Sequence, residues 1–248
     1  MQPIDGSLSL SNRLAAIALG LLLACEVDTS RAEEPELPPC IDDAMIVFDA
    51  SGSMAGNGWG YGSESANTVS RIDKVRSALA MILPRVTRFR RVGLITFGPG
   101  PYNQCNVQLN LEPTANAADL IIRAVKALLP AGRTPLASAV EQAANVLDYR
   151  DKPGVIVVLT DGEETCGGSP CELAKQLHAA AKQLTVHIIG LRVKGLSWTG
   201  EQSILEAKCL AEQNNGLYIT TETEDELVAA FVKTLDCPIL SHRALRLD

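Results

Sequence analysis

The sequence predicts an α/β fold: a doubly wound, mostly parallel sheet of six strands, with one antiparallel edge strand and helices on both faces. Segments with the apolar spacing of helices alternate along the chain with short β-prone segments. Two of those segments, residues 44–49 (AMIVFD) and 154–161 (GVIVVLTD), are almost continuously apolar, which is typical of parallel strands covered on both faces. Two other strands follow each other too closely for a crossover helix, which indicates an antiparallel hairpin.

The first half of the predicted domain contains three strands and one helix. Residues 44–49 form the first strand, and residues 70–86 form a helix that the Ser70 side chain can cap. Residues 91–98 (RVGLITFG) form the next strand. Residues 105–113 (CNVQLNLEP) alternate apolar and polar side chains, which predicts a half-exposed strand antiparallel to the preceding one at the edge of the sheet.

The middle of the chain contains two helices and the second buried strand. Residues 116–129 form a helix, and residues 134–149 form the next one. In the latter, we expect Thr134 at the N-cap and Pro135 at the first helical position, where a missing N–H costs nothing. Residues 154–161 then return to the sheet.

The remainder of the domain alternates helix and strand. The pattern predicts helices at 171–184, 200–214 and 224–235, and strands at 185–193 and 216–221. Residues 238–248 have no clear assignment and are treated as a C-terminal tail.

Residues 1–32 have the pattern of a signal peptide. Arg13 precedes an apolar stretch at 14–24, which is too short to span a bilayer. Small residues before Glu33 indicate cleavage at that point. The alternative is a bacterial lipoprotein signal in which Cys25 carries the lipid.

The chain after the leader reads as a short linker, 33–39, followed by one domain, 40–237. Its formal net charge of −7 and the lack of a Lys/Arg-rich run argue against a nucleic-acid partner. No segment beyond the leader has the length and hydrophobicity of a transmembrane span. We therefore expect an exported protein, periplasmic or extracellular, or lipid-anchored if Cys25 is processed.

The cysteines agree with export. Either processing route leaves six of them, which predicts up to three disulfides. Cys40 and Cys237 lie at the two ends of the domain and are expected to meet. Cys166 and Cys171 frame a short loop that a disulfide can close, with zinc as the alternative ligand of this pair. Such a pairing leaves the last two cysteines, Cys105 and Cys209.

Oxygen-bearing side chains follow the two buried strands. Asp49, Ser51 and Ser53 come after the first strand with alternate spacing, so a tight turn can direct all three to one point. Asp161 ends the second strand, and Thr134 precedes a helix. In doubly wound sheets the carboxyl ends of the strands form the ligand-binding edge. An all-oxygen set suits Mg²⁺, then Mn²⁺ or Ca²⁺, with a place left for an acidic oxygen from a partner protein.

These motifs resemble the von Willebrand factor type A domain with its metal-ion-dependent adhesion site. The resemblance rests on DASGS at 49–53, TPL at 134–136 and TDG at 160–162, covers about residues 40–235, and is close to bacterial exported versions. It implies metal contacts by Asp49, Ser51, Ser53, Thr134 and Asp161. It also implies a binding module that captures a Glu or Asp carboxylate of a protein partner through the cation.

Two other functions are alternatives to a binding module. An accessory subunit of an envelope complex would use the same edge for permanent assembly. A metal-dependent hydrolase or phosphotransferase with Asp49 as the nucleophile is disfavoured, because Ser51 stands where such phosphotransferases have a second Asp. No H-E-x-x-H, G-x-S-x-G or phosphate-binding loop is present. The sequence therefore predicts a protein without enzymatic activity.

Overall fold

A computed structural model describes residues 40, 42–56, 69–101, 104–191 and 201–237, without the side chains of 201–205. These residues belong to one unit of contacts, 37–248. The predicted leader, linker and C-terminal tail lie outside the described residues. No helix in the described part of the chain combines the length and the hydrophobicity that a membrane crossing requires.

All twelve predicted strands and helices are present. The strands are β1 (Asp43–Asp49), β2 (Val92–Phe97), β3 (Val107–Thr114), β4 (Pro153–Thr160), β5 (Gln183–Leu191) and β6 (Tyr218–Thr221). The helices are α1 (Arg71–Val86), α2 (Ala118–Lys126), α3 (Leu136–Val146), α4 (Pro170–Ala180), α5 (Glu201–Gln213) and α6 (Glu224–Leu235).

The strands form one sheet in the order β3-β2-β1-β4-β5-β6. Every neighbouring pair is parallel except β2 and β3, which pair antiparallel at one edge. This arrangement confirms the predicted fold class. After β3 the chain returns to the other side of β1, so the strand order reverses between β1 and β4. That reversal marks the edge position where open α/β sheets bind ligands.

Hydrophobic layers cover both faces of the sheet. On one face, Ile46 and Phe48 of β1 belong to a core that includes apolar residues of α1, α2 and α6. On the other face, Met45 and Val47 belong to a core with α3, α4 and α5. All four side chains have no exposed surface. Alternate residues of one strand thus anchor two separate layers, which explains why β1 is a continuous apolar run.

The helix starts lie within two residues of the predicted ones, and the largest differences are at α2, which begins at Ala118, and at α3. The Ser70 hydroxyl accepts a hydrogen bond from the Asp73 N–H and caps α1 as predicted. The predicted N-cap role of Thr134 is wrong by one residue, because Pro135 takes that position and α3 begins at Leu136. The backbone of Thr134 is instead hydrogen-bonded to Thr165 in the neighbouring loop. Its N–H donates to Thr165 Oγ1, and its carbonyl accepts from the Thr165 N–H.

Three disulfides link the described cysteines. The Cys40–Cys237 bridge confirms the prediction for the domain ends. The predicted Cys166–Cys171 bridge is wrong. Cys166 pairs with Cys105, with 5.9 Å between their Cα atoms, and Cys171 pairs with Cys209 at 5.0 Å. Cys171 lies in the first turn of α4, which packs beside α5, so its nearest sulfur comes from the adjacent helix rather than from its own loop.

Candidate metal centre

Asp49 and Asp161 lie side by side at the carboxyl edge of the sheet. Asp49 ends β1, and Asp161 directly follows Thr160, the last residue of the neighbouring parallel strand β4. Both carboxylates therefore flank the crevice where the strand order reverses. Neither is open to solvent, since Asp49 and the side chain of Asp161 are both 0% exposed.

A tight turn after β1 brings Ser51 and Ser53 to the same place. The Ser51 N–H donates to Asp49 Oδ1 at 2.7 Å, and one 3₁₀ turn follows at Gly52–Ala55. The hydroxyl oxygens of Ser51 and Ser53 are 3.0 Å apart, and the Ser53 hydroxyl donates to Asp161 Oδ1 at 2.6 Å. Four of the five predicted ligands thus form one continuous hydrogen-bonded chain.

The loop before α3 places Thr134 beside these side chains. The Gly52 N–H donates to the Gly132 carbonyl at 3.0 Å, which ties this loop to the turn after β1. A Cβ built on Gly162 would lie 3.7 Å from both Ser53 Oγ and Thr134 Oγ1. The two hydroxyls therefore border the same space in front of Gly162. The structure brings all five predicted ligands to one edge of the sheet.

The loops approach each other so closely that one of them needs glycine. Gly98, after β2, has a φ of +78°, and a Cβ there would lie 2.6 Å from the Ser51 nitrogen. It would also lie 2.8 Å from the Arg133 carbonyl oxygen. The Gly98 carbonyl accepts the Gly132 N–H at 2.7 Å. Gly98 therefore allows the loops that carry Ser51 and Thr134 to pack in contact.

Two residues that the sequence analysis did not select hold the site in place. The Thr160 hydroxyl donates to Asp49 Oδ2 at 2.6 Å and orients that carboxylate. The Glu164 carboxylate accepts the Ala137 N–H at the start of α3 at 2.9 Å and the Cys166 N–H at 2.6 Å. The position of Thr160, a polar residue at the end of an otherwise apolar strand, could have indicated its role. The Glu164 contacts depend on a pairing of loops that the sequence does not reveal.

The donor set fits a hard divalent cation. Two buried carboxylates and three hydroxyls supply only oxygen atoms, which is the chemistry that Mg²⁺ and Ca²⁺ prefer. The space in front of Gly162 is bordered by two of these hydroxyls. Among the described residues, no group of three or more His, Cys, Asp or Glu side chains could hold a metal ion. The zinc alternative for Cys166 and Cys171 is wrong, because both sulfurs are in disulfides.

Residues 44–164 match the family model of the von Willebrand factor type A domain. This match identifies residues 44–164 as von Willebrand factor type A sequence. The matched region contains β1 to β4 and all five residues of the candidate metal centre. The family that the sequence motifs resemble is therefore confirmed.

The type A domain has relatives in bacteria and in solved structures. The uncharacterised protein YwmD of Bacillus subtilis is 29% identical over 232 residues, which covers 89% of this chain and 95% of YwmD. The conserved hypothetical protein BatB from Bacteroides thetaiotaomicron has the same fold, with a TM-score of 0.54 at 17% identity, over 79% of this chain and 100% of BatB. The pilus adhesin SpaC from Lactobacillus rhamnosus GG gives a TM-score of 0.57 at 16% identity, over 81% of this chain and 30% of SpaC.

Charge is concentrated at the edge of the type A domain. Burial, and to a lesser degree the neighbouring Asp161 carboxylate, raise the pKa of Asp49 to about 7, although hydrogen bonds from Ser51 and Thr160 oppose this rise. Arg71, a third residue that the sequence analysis did not select, forms an ion pair with Asp161 Oδ2. Two adjacent buried carboxyl groups are thus accompanied by one guanidinium, which pairs with Asp161, and by a raised pKa at Asp49.

The raised pKa predicts how the stability of the metal-free type A domain depends on pH. Folded Asp49 holds its proton up to about pH 7, whereas in the unfolded chain it loses the proton near its ordinary value of 3.8. The contribution of this group to stability is therefore complete below about pH 4 and is lost as pH rises to about 7. Relative to Asp49→Asn, the wild type should lose on the order of 4 kcal/mol of unfolding free energy across this window. Urea denaturation in EDTA at several pH values measures this difference, and parallel pH profiles would contradict it.

Proposed function

We propose that this type A domain is part of an exported binding module that holds Mg²⁺, or else Mn²⁺ or Ca²⁺, at the edge of its sheet. The cation would be bound by Asp49, Ser51, Ser53, Thr134 and Asp161. Through the cation, the module would capture a Glu or Asp carboxylate of a protein partner. The meeting of five oxygen-bearing side chains from three separate loops at one edge of the sheet, with Ser53 and Thr134 bordering the space in front of Gly162, carries this proposal.

The family supports a role in protein interaction. A von Willebrand factor type A domain indicates an interaction or adhesion-type module, and one structure with the same fold is described as a pilus adhesin. Three disulfides are compatible with an exported protein, since such bridges persist in oxidising compartments. The charge of the cation favours an acidic residue of the partner as its further ligand. The hydroxyls do not neutralise a divalent cation, and an additional carboxylate would complete its oxygen ligands.

The contacts of Asp49 favour binding over nucleophilic chemistry. Both oxygens of this buried carboxylate accept hydrogen bonds, one from the Ser51 N–H and one from the Thr160 hydroxyl. Such a group is oriented and shielded, whereas a nucleophile must reach a substrate atom. The proposed function therefore assigns no catalytic residue.

Loss of the Thr134 hydroxyl tests the proposal. We expect Thr134→Ala to weaken Mg²⁺ binding about tenfold, because the cation loses one oxygen ligand while both carboxylates remain. Isothermal titration calorimetry measures the affinity. Co-precipitation from an envelope extract with Mg²⁺ or EDTA then tests whether partner capture needs the cation.

The matched control is Thr114→Ala, the same change at the far end of β3. Thr114 pairs with Val92, the first residue of β2, and its hydroxyl donates to the Glu112 carbonyl at 2.8 Å. This variant should bind Mg²⁺ like the wild type. A wild-type protein that gives no heat with Mg²⁺, or that captures its partner equally well in EDTA, would refute the proposed function.

A further inference from the structure

We propose that Arg71 is a built-in competitor of the divalent cation: its guanidinium holds Asp161 in the metal-free domain, and cation binding has to displace it. This inference rests on the proposed function, since it concerns the same metal centre. In this inference Arg71 sets the affinity of the domain for the cation. Arg71 is not among the motif residues, and the family match does not give it this role.

The contacts of Arg71 place it on two of the five predicted ligands. Its Nη1 atom donates to Asp161 Oδ2 and also to the Ser53 carbonyl oxygen, the latter at 3.1 Å. The other oxygen of Asp161 accepts the Ser53 hydroxyl at 2.6 Å. Both oxygens of Asp161 therefore accept hydrogen bonds from protein donors. A cation that binds Asp161 and Ser53 must break or rearrange these contacts.

The Arg71 side chain is largely buried, yet one of its hydrogen-bond donors is unsatisfied. The Arg71 side chain is only 18% exposed and that of Asp161 is 0% exposed, so the pair has largely lost its hydration. The Nε atom of Arg71 is buried and has no hydrogen-bond partner among the described residues. A buried guanidinium with an unsatisfied donor is held less firmly than one with a full set of bonds. The ion pair can therefore be exchanged for a better counter-ion.

The charge balance determines the direction of the effect. The centre contains two carboxyl groups, Asp49 and Asp161, and Arg71 supplies one positive charge next to them. A divalent cation in the space in front of Gly162 would be repelled by that charge at short range, in surroundings that solvent screens only partly. Arg71 therefore lowers the affinity of the empty domain for the cation. A partner's carboxylate at the same edge would offset the repulsion, so that the cation and the partner bind more tightly together than separately.

Arg71→Gln tests the inference by calorimetry with Mg²⁺ alone. We expect this variant to bind Mg²⁺ about tenfold more tightly than the wild type, because the competing charge is gone and all five ligands remain. In EDTA, the variant should melt several degrees below the wild type, since Asp161 loses its counter-ion. Saturating Mg²⁺ should remove most of that difference.

Arg85→Gln is the matched control. Arg85 lies in the last turn of α1 and pairs with Asp236, so the substitution removes the same charge from the same helix far from the metal centre. Its Mg²⁺ affinity should stay within about twofold of the wild type. If both variants change the affinity equally, the effect comes from overall charge and the role of Arg71 is overturned.

The possible outcomes separate this inference from the proposed function. Mg²⁺ binding of equal strength by the wild type and folded Arg71→Gln leaves the proposed function intact and overturns the role of Arg71. Tighter binding by Arg71→Gln than by the wild type supports the inference, whereas no binding by the wild type refutes the proposed function and, with it, the role of Arg71. If Arg71→Gln does not fold, Arg71→Met replaces it. Methionine also removes the positive charge and should raise Mg²⁺ affinity about tenfold, and an unchanged affinity would overturn the inference.

Discussion

Asp49→Asn is expected to reduce Mg²⁺ affinity by about 100-fold or more while the domain stays folded. The substitution keeps the shape of the side chain and one oxygen that can accept the Ser51 N–H, which donates to Asp49 at 2.7 Å. It removes the negative charge that a divalent cation needs most. Because Asp49 is fully buried and its pKa is raised to about 7, the neutral amide should not destabilise the metal-free protein at neutral pH.

The control for this prediction is Asp43→Asn in the same strand. Asp43 begins β1, so the same chemical change falls at the opposite end from Asp49. Calorimetry with Mg²⁺ should show wild-type affinity for Asp43→Asn and no measurable heat for Asp49→Asn, with circular dichroism confirming that both variants are folded. Retention of Mg²⁺ binding by Asp49→Asn would remove this carboxylate from the ligand set.

Replacement of Cys40 and Cys237 by serine should lower the unfolding free energy by about 2–5 kcal/mol. The bridge joins residues that are 197 positions apart, so the reduced chain gains a large conformational freedom when it unfolds. The folded state should change little, because other contacts hold both ends in place. The Cys40 N–H donates to the Phe89 carbonyl at 2.7 Å, and Arg85 pairs with Asp236 at 2.8 Å. Urea denaturation of the oxidised proteins measures the loss.

A second double variant, Cys171→Ser with Cys209→Ser, provides the comparison. This bridge spans only 38 positions, so its removal should cost about 1.5 kcal/mol less than removal of the long-range bridge. A larger loss for the short bridge would show that contacts in the folded state, rather than loop length, decide the contribution of each disulfide.

The fold was largely predictable because its strands and helices are encoded locally. The alternation of Met45 and Val47 with Ile46 and Phe48 between two cores leaves β1 with no polar side chain between Asp43 and Asp49. The Ser70 cap is also local, since the hydroxyl and the Asp73 N–H that it accepts are three residues apart. The motif residues of the metal centre could be selected for the same reason, because each one lies at or just after the end of a recognisable strand, or just before a helix. That they bind a metal stays a prediction.

The predictions that were wrong, and the contact that was missed, involve residues far apart in the sequence. The Cys166–Cys171 prediction relied on proximity in sequence, whereas the observed partners of both cysteines come from separate elements of the fold. Thr134 was assigned to its own helix, but its backbone is bonded to the loop of Thr165. The pairing of Arg71 with Asp161 spans 90 positions. Contacts of this kind depend on how loops meet in three dimensions, and a single sequence does not record them.

The Cys40–Cys237 bridge also bears on how the domain responds to mechanical tension. Cys40 precedes β1 and Cys237 follows α6, so both connections to the flanking chain lie at the opposite end of β1 from Asp49, about 20 Å along the strand. Tension applied at Cys40 and Cys237 would be carried by the covalent sulfur–sulfur link and would bypass the six strands. A tether attached at these points could be stretched without shearing the sheet, and the geometry of the opposite edge would persist under load.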